Sequence, residues 1–258
     1  MVGVLYFIVI ICANTIGAVS GMGGGVIIKP VFDFIGVDTV ATISFYSTMA
    51  VFTMAIVSTG RQIKNGVEVN WKEVGFISLG SVTGGITGNI FFEEFLKVLP
   101  KEENVMMIQI IITIITLIFA FVYTRFELSS FNLSGKMWCI FCGFILGFLA
   151  SFLGIGGGPI NVALLMWMFA MPIKKATVYS ICIILFSQLA KIITIAVVSG
   201  FARYNLMMLW YIVPAAIIGG FIGAQASRLL SPKRVVSVFQ LTIIGVLIIN
   251  LYNFIQLF

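Results

Sequence analysis

The sequence predicts an all-α polytopic membrane protein built from two repeats. Its 258 residues are 60% hydrophobic and only 9% charged, whereas soluble domains carry about 25% charged residues. Many of its apolar runs approach the length of about 20 residues that crosses a bilayer. Two glycine-rich turns, each followed by a short apolar segment, recur with other motifs at nearly constant spacing, which indicates an internal duplication.

Ten apolar segments follow one another along the chain. Eight are long enough to span a membrane, whereas the second and the seventh have only about 11 to 13 residues and are expected to be re-entrant or buried half-helices. The segments are 2–20, 26–36, 41–60, 74–95, 105–123, 137–153, 159–171, 176–200, 206–229 and 235–257.

Four features of the first half recur in the second half, 133 to 135 residues later. We therefore expect residues 1–125 to form the first transmembrane repeat, 126–135 a connecting loop and 136–258 the second repeat, within one membrane domain. Each repeat should contain four long helices and one short half-helix after a glycine-rich turn. The matched features are the glycine turns at 21–25 and 154–158, the Ala-Thr pairs at 41–42 and 176–177, the asparagines Asn70 and Asn205, and the glycine groups at 84–88 and 219–223.

The distribution of charge predicts that the repeats have inverted topology. If each short segment and the segment before it return the chain to its starting side, most Lys and Arg residues fall on one side and most acidic residues on the other. The positive-inside rule then places both termini outside the cytoplasmic membrane. Equivalent stretches also differ in charge, since the one after the first short segment carries Asp33 and Asp38, whereas its counterpart carries Lys174 and Lys175. Inverted repeats with interrupted helices are typical of secondary transporters.

The glycine turns are candidate anion sites. Adjacent glycines leave backbone amides uncovered, and a helix that starts after them directs free N–H groups and its positive end into the turn. The alternative is close helix packing, which is the better interpretation for the glycines inside the long spans, at 84–88 and 219–223. The candidate amide donors are Gly23, Gly24, Gly25, Gly156, Gly157 and Gly158.

Several side chains could add hydrogen bonds to an anion. Lys191 lies well inside a span with Gln188 on the same face; it either faces an anionic substrate or extends toward the outer interface. Lys29 follows the first turn, and Asn161 occupies the comparable region after the second. Asp33 could take up a proton, but its place near the outer interface favours simple solvation. The candidate hydroxyls, for which helix capping is the alternative, are Thr42, Ser44, Thr177 and Ser180.

Other functional classes lack support in the sequence. The chain has no histidine, so histidine-based catalytic triads and HExxH metal sites are excluded. It has no P-loop and no long basic run, so we expect no enzyme activity, no cofactor, no metal and no nucleic-acid partner. The expected partners are a small anionic substrate and the lipid bilayer, and a homo-oligomer remains open.

The repeated GxGGG turns, the downstream Ala-Thr pairs and the Gly-Gly-x-x-Gly spans resemble the sulfite exporter TauE/SafE family, over nearly the whole chain. The resemblance implies a multi-pass permease of the cytoplasmic membrane that transports sulfite, sulfonates or related small sulfur-containing anions. The chain departs from the usual family pattern where Tyr179 stands opposite Ser44. The resemblance therefore does not imply that the two glycine turns bind an anion in the same way.

The leading expectation is a secondary transporter of sulfite or an organosulfonate, with the anion between the two glycine turns and alternating access by rocking of the repeats. A carboxylate or another small ion on the same architecture is the first alternative. A passive anion channel and a membrane scaffold without transport activity are the others. The sequence leaves the coupling ion and the direction of transport open.

Overall fold

The computed structural model describes residues 2–64, 69–99, 101–126 and 129–256, and within these ranges it contains ten α-helices and no strand. A π-helical turn, Ile195–Ser199, continues α8, and a 3₁₀ turn, Leu206–Met208, precedes α9. The helices are α1 (Val2–Ser20), α2 (Gly25–Ile35), α3 (Val40–Lys64), α4 (Trp71–Val98), α5 (Glu102–Phe126), α6 (Lys136–Phe152), α7 (Pro159–Phe169), α8 (Ile173–Thr194), α9 (Leu209–Leu229) and α10 (Pro232–Ile255).

The helix lengths confirm the all-helical membrane fold. In the described part of the chain, seven helices are long and apolar enough to cross a membrane, while α2 and α7 have only 11 residues each. The sequence predicts eight long segments, and the structure differs at α6, which has 17 residues. This helix is short because it begins only after Gly135 and must end before the second glycine turn.

The two glycine turns separate α1 from α2 and α6 from α7. Gly21 and Gly23 have φ of 74° and 77°, and their counterparts Gly154 and Gly156 have φ of 67° and 68°, a region that glycine adopts without strain. The Gly23 amide donates to the carbonyl of Gly17, six residues earlier, and the Gly156 amide donates in the same way to Ala150. Both turns therefore close the preceding helix with the same geometry.

The two matched asparagines also have the same structural role. Asn70 caps α4, where its side-chain oxygen accepts from the amides of Lys72 and Glu73. Asn205 likewise caps the 3₁₀ turn before α9 and accepts from the amide of Met207. An N-cap side chain satisfies backbone donors that have no partner inside the helix, so both residues fix the start of an equivalent span.

The halves pack on each other through the glycines of α4 and α9, which confirms the packing prediction. A Cβ atom built on Gly84 would lie 2.1 Å from the backbone oxygen of Phe144, and one on Gly88 would lie 2.4 Å from that of Phe148. This pairing makes α4 parallel to α6. The glycines at 219–223 bring α9 equally close to a parallel α1. Small residues let the helix backbones approach, which is a principal means of helix association in membranes.

Helices α3 and α8 cross at the centre of the molecule in antiparallel directions. Ser44 lies beside Lys191, and further along, Val51 packs with Ile184. Since α3 and α8 have equivalent positions in the two halves, this crossing agrees with a two-fold relation between them. The inverted topology relative to the membrane stays a prediction, as do the boundaries of the two repeats.

Polar side chains lie inside the bundle and large apolar side chains lie outside. Ile115 and Leu241 are 60% and 68% exposed, whereas Gln188 and Lys191 are almost fully buried. Exposed apolar residues are stable in contact with lipid tails, and polar groups inside a membrane protein usually face its interior. The centre of the bundle is therefore where chemistry is expected.

The α4–α6 contact makes a specific prediction. Gly84→Ala is expected to lower the melting temperature in detergent, because its Cβ would overlap the Phe144 carbonyl and separate the two helices. Gly75→Ala on the same helix is the matched control, since a Cβ there would meet no atom within 4 Å. Equal melting temperatures for the two variants would contradict this account of the interface.

Candidate functional site

The two glycine turns contact each other directly. A Cβ atom on Gly25 would lie 1.8 Å from the carbonyl oxygen of Ile155, and one on Gly157 would lie 3.3 Å from that of Met22. The Ile184 side chain also packs against both turns. In this conformation the space between the turns, where the sequence suggests an anion, is occupied by the protein's own backbone and side chains.

Two of the six candidate glycine amides already have partners. The amides of Gly23 and Gly156 donate to carbonyls of the preceding helices, at 3.4 Å and 3.2 Å. The N-caps of α2 and α7, Gly24 and Gly158, have no side chain that could cap their helices. The positive ends of α2 and α7 thus remain available to polarise the centre. Pro159 at the start of α7 supplies no amide donor.

Lys191 is buried at the centre and points inward. Its exposed fraction is 1%, which excludes an extended side chain that reaches the interface. The ammonium donates to Ser44 Oγ at 2.8 Å and to the Ser151 carbonyl at 2.9 Å, and it lies 5.4 Å from the centre of the Phe92 ring. Within the described ranges no carboxylate forms an ion pair with it. Such a cation needs a negative partner or good hydrogen bonds.

Lys29 approaches the same place from α2. A Cβ atom on Gly154 would lie 2.6 Å from Ser44 Oγ and 3.5 Å from Cε of Lys29. Ser44 and the start of the second turn therefore lie between the two lysines. The structure thus brings together three of the predicted side chains, Ser44, Lys29 and Lys191. We refer to these three residues with Gly154 as the two-lysine site.

Asp33 is not solvated as the sequence analysis expects. It accepts from Lys29 at 2.9 Å, and the exposed fractions of the two side chains are only 4% for Lys29 and 3% for Asp33. The residues are one helical turn apart on α2, and the packing of α10 over this helix, where Asn253 donates to the Pro30 carbonyl, helps to bury them. Lys29 therefore has a counter-ion inside the protein, in contrast to Lys191.

The first turn has a different environment. Ser180 donates to the Gly21 carbonyl at 2.5 Å, and the backbone of Thr177 packs against Gly21. The Thr177 hydroxyl donates to the Lys174 carbonyl. Tyr179, which stands opposite Ser44 in the repeat, has its hydroxyl within 3.0 Å of both the Asn70 amide and the Glu73 carboxylate. The lysine beside Tyr179 is Lys175, which lies 3.8 Å from Glu73 and whose side chain is 41% exposed, unlike the buried Lys29 and Lys191. The surroundings of the two turns are therefore asymmetric.

The remaining predicted residues do not join the two-lysine site. Thr42 lies at the start of α3, where its contacts are with Thr39. Gln188 is fully buried with its Nε2 atom 3.5 Å from Ser187 Oγ. Asn161 is buried in the first turn of α7, and neither of its side-chain polar atoms has a partner among the described residues.

Sequence reasoning missed several other buried polar residues, among them Asn14 of α1, Asn89 of α4 and Ser151 of α6. Each has at least one polar side-chain atom without a hydrogen-bond partner in the described chain. Buried polar groups are nearly always paired, so unpaired ones call for a water, an ion or a ligand. Their occurrence inside long apolar segments was the available signal, and the Ser151 carbonyl accepts from Lys191.

A loop closes over the α4 end next to Lys191. Arg203 donates to both carboxylate oxygens of Glu93, and Tyr204 stacks on Phe45 with ring centres 4.2 Å apart. Burial raises the pKa of Tyr204 above its ordinary value, so its hydroxyl stays neutral at physiological pH. Glu93 and Lys29 are the charged groups that act electrostatically on Lys191.

The sulfite exporter TauE/SafE family model matches residues 6–251 of the chain. The chain is 25% identical over 256 residues to the probable membrane transporter protein YunE of Bacillus subtilis, covering 90% of this chain and 91% of that protein. It is 28% identical over 262 residues to the probable membrane transporter protein MJ0441 of Methanocaldococcus jannaschii, covering 94% and 92%. No solved structure gives a significant match.

The family match covers nearly the whole of the chain, including both glycine turns and every residue of the two-lysine site. It agrees with a helical bundle whose polar groups are gathered inside and whose surface is apolar. The chain therefore belongs to the sulfite exporter TauE/SafE family of membrane transporters.

Proposed function

We propose that this chain is a secondary transporter of a small sulfur-containing anion, sulfite or an organosulfonate, and that the anion binds at the two-lysine site. Ser44 and Lys191 supply hydrogen bonds to the anion, and Lys29 supplies a second positive charge from α2. The anion thus binds on the Ser44 side of the second glycine turn.

The observation that carries this proposal is the burial of Lys191 without a carboxylate partner. Its ammonium donates only to neutral acceptors, Ser44 Oγ and the Ser151 carbonyl. A negatively charged acceptor adds a Coulombic attraction that neutral acceptors lack, so an anion at this place would gain free energy that the present partners do not supply. Tyr179, which stands opposite Ser44, has the partly exposed Lys175 beside it rather than a buried lysine, which favours one anion per chain.

A sulfur oxyanion fits the donors available. A lysine ammonium acts as a compact point charge with three donors, and a serine hydroxyl can rotate to donate to an oxygen. These groups suit an anion that presents several oxygens in different directions. The family description names sulfite, whereas the names of the two relatives state only that they are probable membrane transporters.

Alternating access would require the contact between the turns to open. The direct packing of Gly25 on Ile155 and of Gly157 near Met22 makes this contact a barrier across the centre. Movement of one half relative to the other would change which side of the two-lysine site is accessible. The orientation with both termini outside the cytoplasmic membrane is retained in this proposal, and the oligomeric state is left open.

Binding to the purified protein tests the proposal. We expect sulfite or 2-hydroxyethanesulfonate to raise the melting temperature in a concentration-dependent manner, because a ligand that binds only the folded state stabilises it by RT ln(1 + [L]/Kd). Lactate, acetate and chloride are the comparison anions. Proteoliposomes should then take up the stabilising anion in a saturable way, and unlabelled anion on the opposite side should stimulate the uptake.

Each alternative gives a different result. Stabilisation by lactate or acetate alone would replace the sulfur anion with a carboxylate. Flux that neither saturates nor responds to anion on the opposite side would indicate a channel. A melting temperature unchanged by every anion, together with no flux, would exclude the transport proposal.

A further inference from the structure

Asp33 lines a cavity and has one buried carboxylate oxygen without a hydrogen-bond partner among the described residues. Its Oδ2 atom accepts from Lys29, whereas Oδ1 is buried and has no hydrogen-bond partner in the described part of the chain. The residue lines a cavity of about 420 Å³ between α2, α5 and α10. The other lining residues are Phe34, Met106, Tyr252, Asn253 and Gln256. The cavity has room for water, so water can approach the Asp33 side chain.

Lys29 connects this carboxylate with the two-lysine site. Its ammonium binds Asp33, and Cε of the same side chain lies 3.5 Å from the position of a Cβ on Gly154. A flexible lysine that borders both places can be attracted by either negative charge. An anion beside Ser44 would therefore compete with Asp33 for the same ammonium.

We infer that Asp33 is the proton-binding site of this transporter and that it takes up one proton when the anion binds. This inference rests on the proposed function and concerns its coupling. As Lys29 turns toward the anion, the Asp33 carboxylate loses its counter-ion inside the protein, where an unpaired charge is costly. A hydronium ion in the cavity transfers its proton to Oδ1, leaving water and a neutral carboxylic acid. The singly charged anion and the proton together leave the net charge of the site unchanged.

The surroundings of Asp33 contain no competing charge in the described chain. Lys29 is its ion-pair partner, and the other described residues that line the cavity include no Lys, Arg, Asp or Glu. From the neighbouring helices, α10 contributes the neutral phenol of Tyr252 and α5 contributes Met106. The phenols of α1 and α3 have partners elsewhere, since Tyr6 donates to Asp38 and Tyr46 to the Asn205 carbonyl. Whether the Lys29 ammonium contacts Asp33 or the anion therefore determines whether the Asp33 carboxylate stays charged.

Calorimetric titration of the full chain in nanodiscs tests this inference, with 2-hydroxyethanesulfonate and sulfite as probes in two buffers of different ionisation enthalpy. Wild type should take up about one proton per anion, and affinity should rise about tenfold for each pH unit of acidification while free Asp33 is ionised. Asp33→Asn should bind without proton uptake and without this pH dependence. Sulfite can also bind a proton, but this contribution is the same for every variant. The difference in proton uptake between wild type and Asp33→Asn therefore reports on Asp33.

A matched control is available on α4. Glu94 forms an ion pair with Lys97 at the same 2.9 Å, but both side chains are more than half exposed. Glu94→Gln should therefore bind like wild type and take up about one proton. If Asp33→Asn fails to fold with Lys29 unpaired, the double variant Lys29→Gln/Asp33→Asn removes both charges, and its residual anion binding should be pH-independent.

The two readouts separate the two proposals. Binding heat without proton uptake in wild type would overturn the role of Asp33 while leaving anion binding intact. Unchanged proton uptake in Asp33→Asn would also overturn it and assign the proton to another group. If neither anion produces heat or flux, the proposed function fails and this inference fails with it.

Discussion

Gly25→Ala is expected to remove both stable folding and transport. The new Cβ would lie 1.8 Å from the Ile155 carbonyl oxygen and 2.7 Å from Ser47 Oγ. The first obstacle is backbone, so no rotamer change relieves it, and the two glycine turns must separate. Overpacking in a core typically costs about 1–3 kcal/mol, and we expect the upper end of this range or more. The melting temperature in detergent measures the effect.

Gly158→Ala is the matched control, because Gly158 belongs to the same motif. Its φ of −177° is extended backbone that alanine adopts readily. The nearest atom to the new Cβ would be the terminal Cδ1 of Ile155 at 3.2 Å, which can move. This variant should melt close to wild type and retain flux. If Gly25→Ala behaves like Gly158→Ala, the contact between the turns is not the central barrier that we describe.

The fold was predictable to the extent that it depends on local sequence. The apolar runs and the interruptions at the glycine turns locate the helices, because membrane spans need a minimum apolar length and glycine permits the backbone angles at which the chain turns. The glycines at 84–88 and 219–223 indicated close packing, and the structure confirms it. Identity of the partner helices was not predictable, since it depends on contacts between residues distant in sequence.

The site was predictable in composition but not in arrangement. Lys191 and Ser44 are 147 residues apart, and only the crossing of α3 and α8 brings them together. The pairing of Lys29 with Asp33 was accessible in principle, because residues four apart meet on one face of a helix. The burial of this pair was not predictable, because it depends on α10, which lies near the other end of the chain. Asn14, Asn89 and Ser151 belong to no sequence motif that would place them at the centre of the bundle.

The difference in charge between the two halves bears on the mechanism that we propose. Both turns close their preceding helices in the same way, so the duplicated backbone supplies a symmetric barrier. The charges differ, because the two-lysine site adjoins the second turn, while the first turn adjoins Thr177 and Ser180. In the proposed mechanism, a symmetric backbone scaffold with one charged site alternates between two access states and binds a single anion in each.

Lys191→Met is expected to abolish most anion binding while the protein remains folded. Losing a charge-assisted hydrogen bond costs about 1.5–3 kcal/mol, which corresponds to roughly 10- to 100-fold weaker affinity. The folded state should not suffer, because methionine is apolar and of similar length, and the buried ammonium has no carboxylate partner in the described chain. Anion titration and melting temperature should therefore change independently.

Lys97→Met is the matched control for Lys191→Met. Lys97 lies on α4 with 65% of its side chain exposed, and its partner Glu94 is also exposed. Exposed ion pairs contribute little, so neither affinity nor melting temperature should change measurably. A purely structural role for Lys191 makes the opposite prediction, in which Lys191→Met melts early but keeps its affinity for the anion. Because Lys191 donates only to neutral acceptors in this conformation, the main effect of removing its charge should be on anion binding.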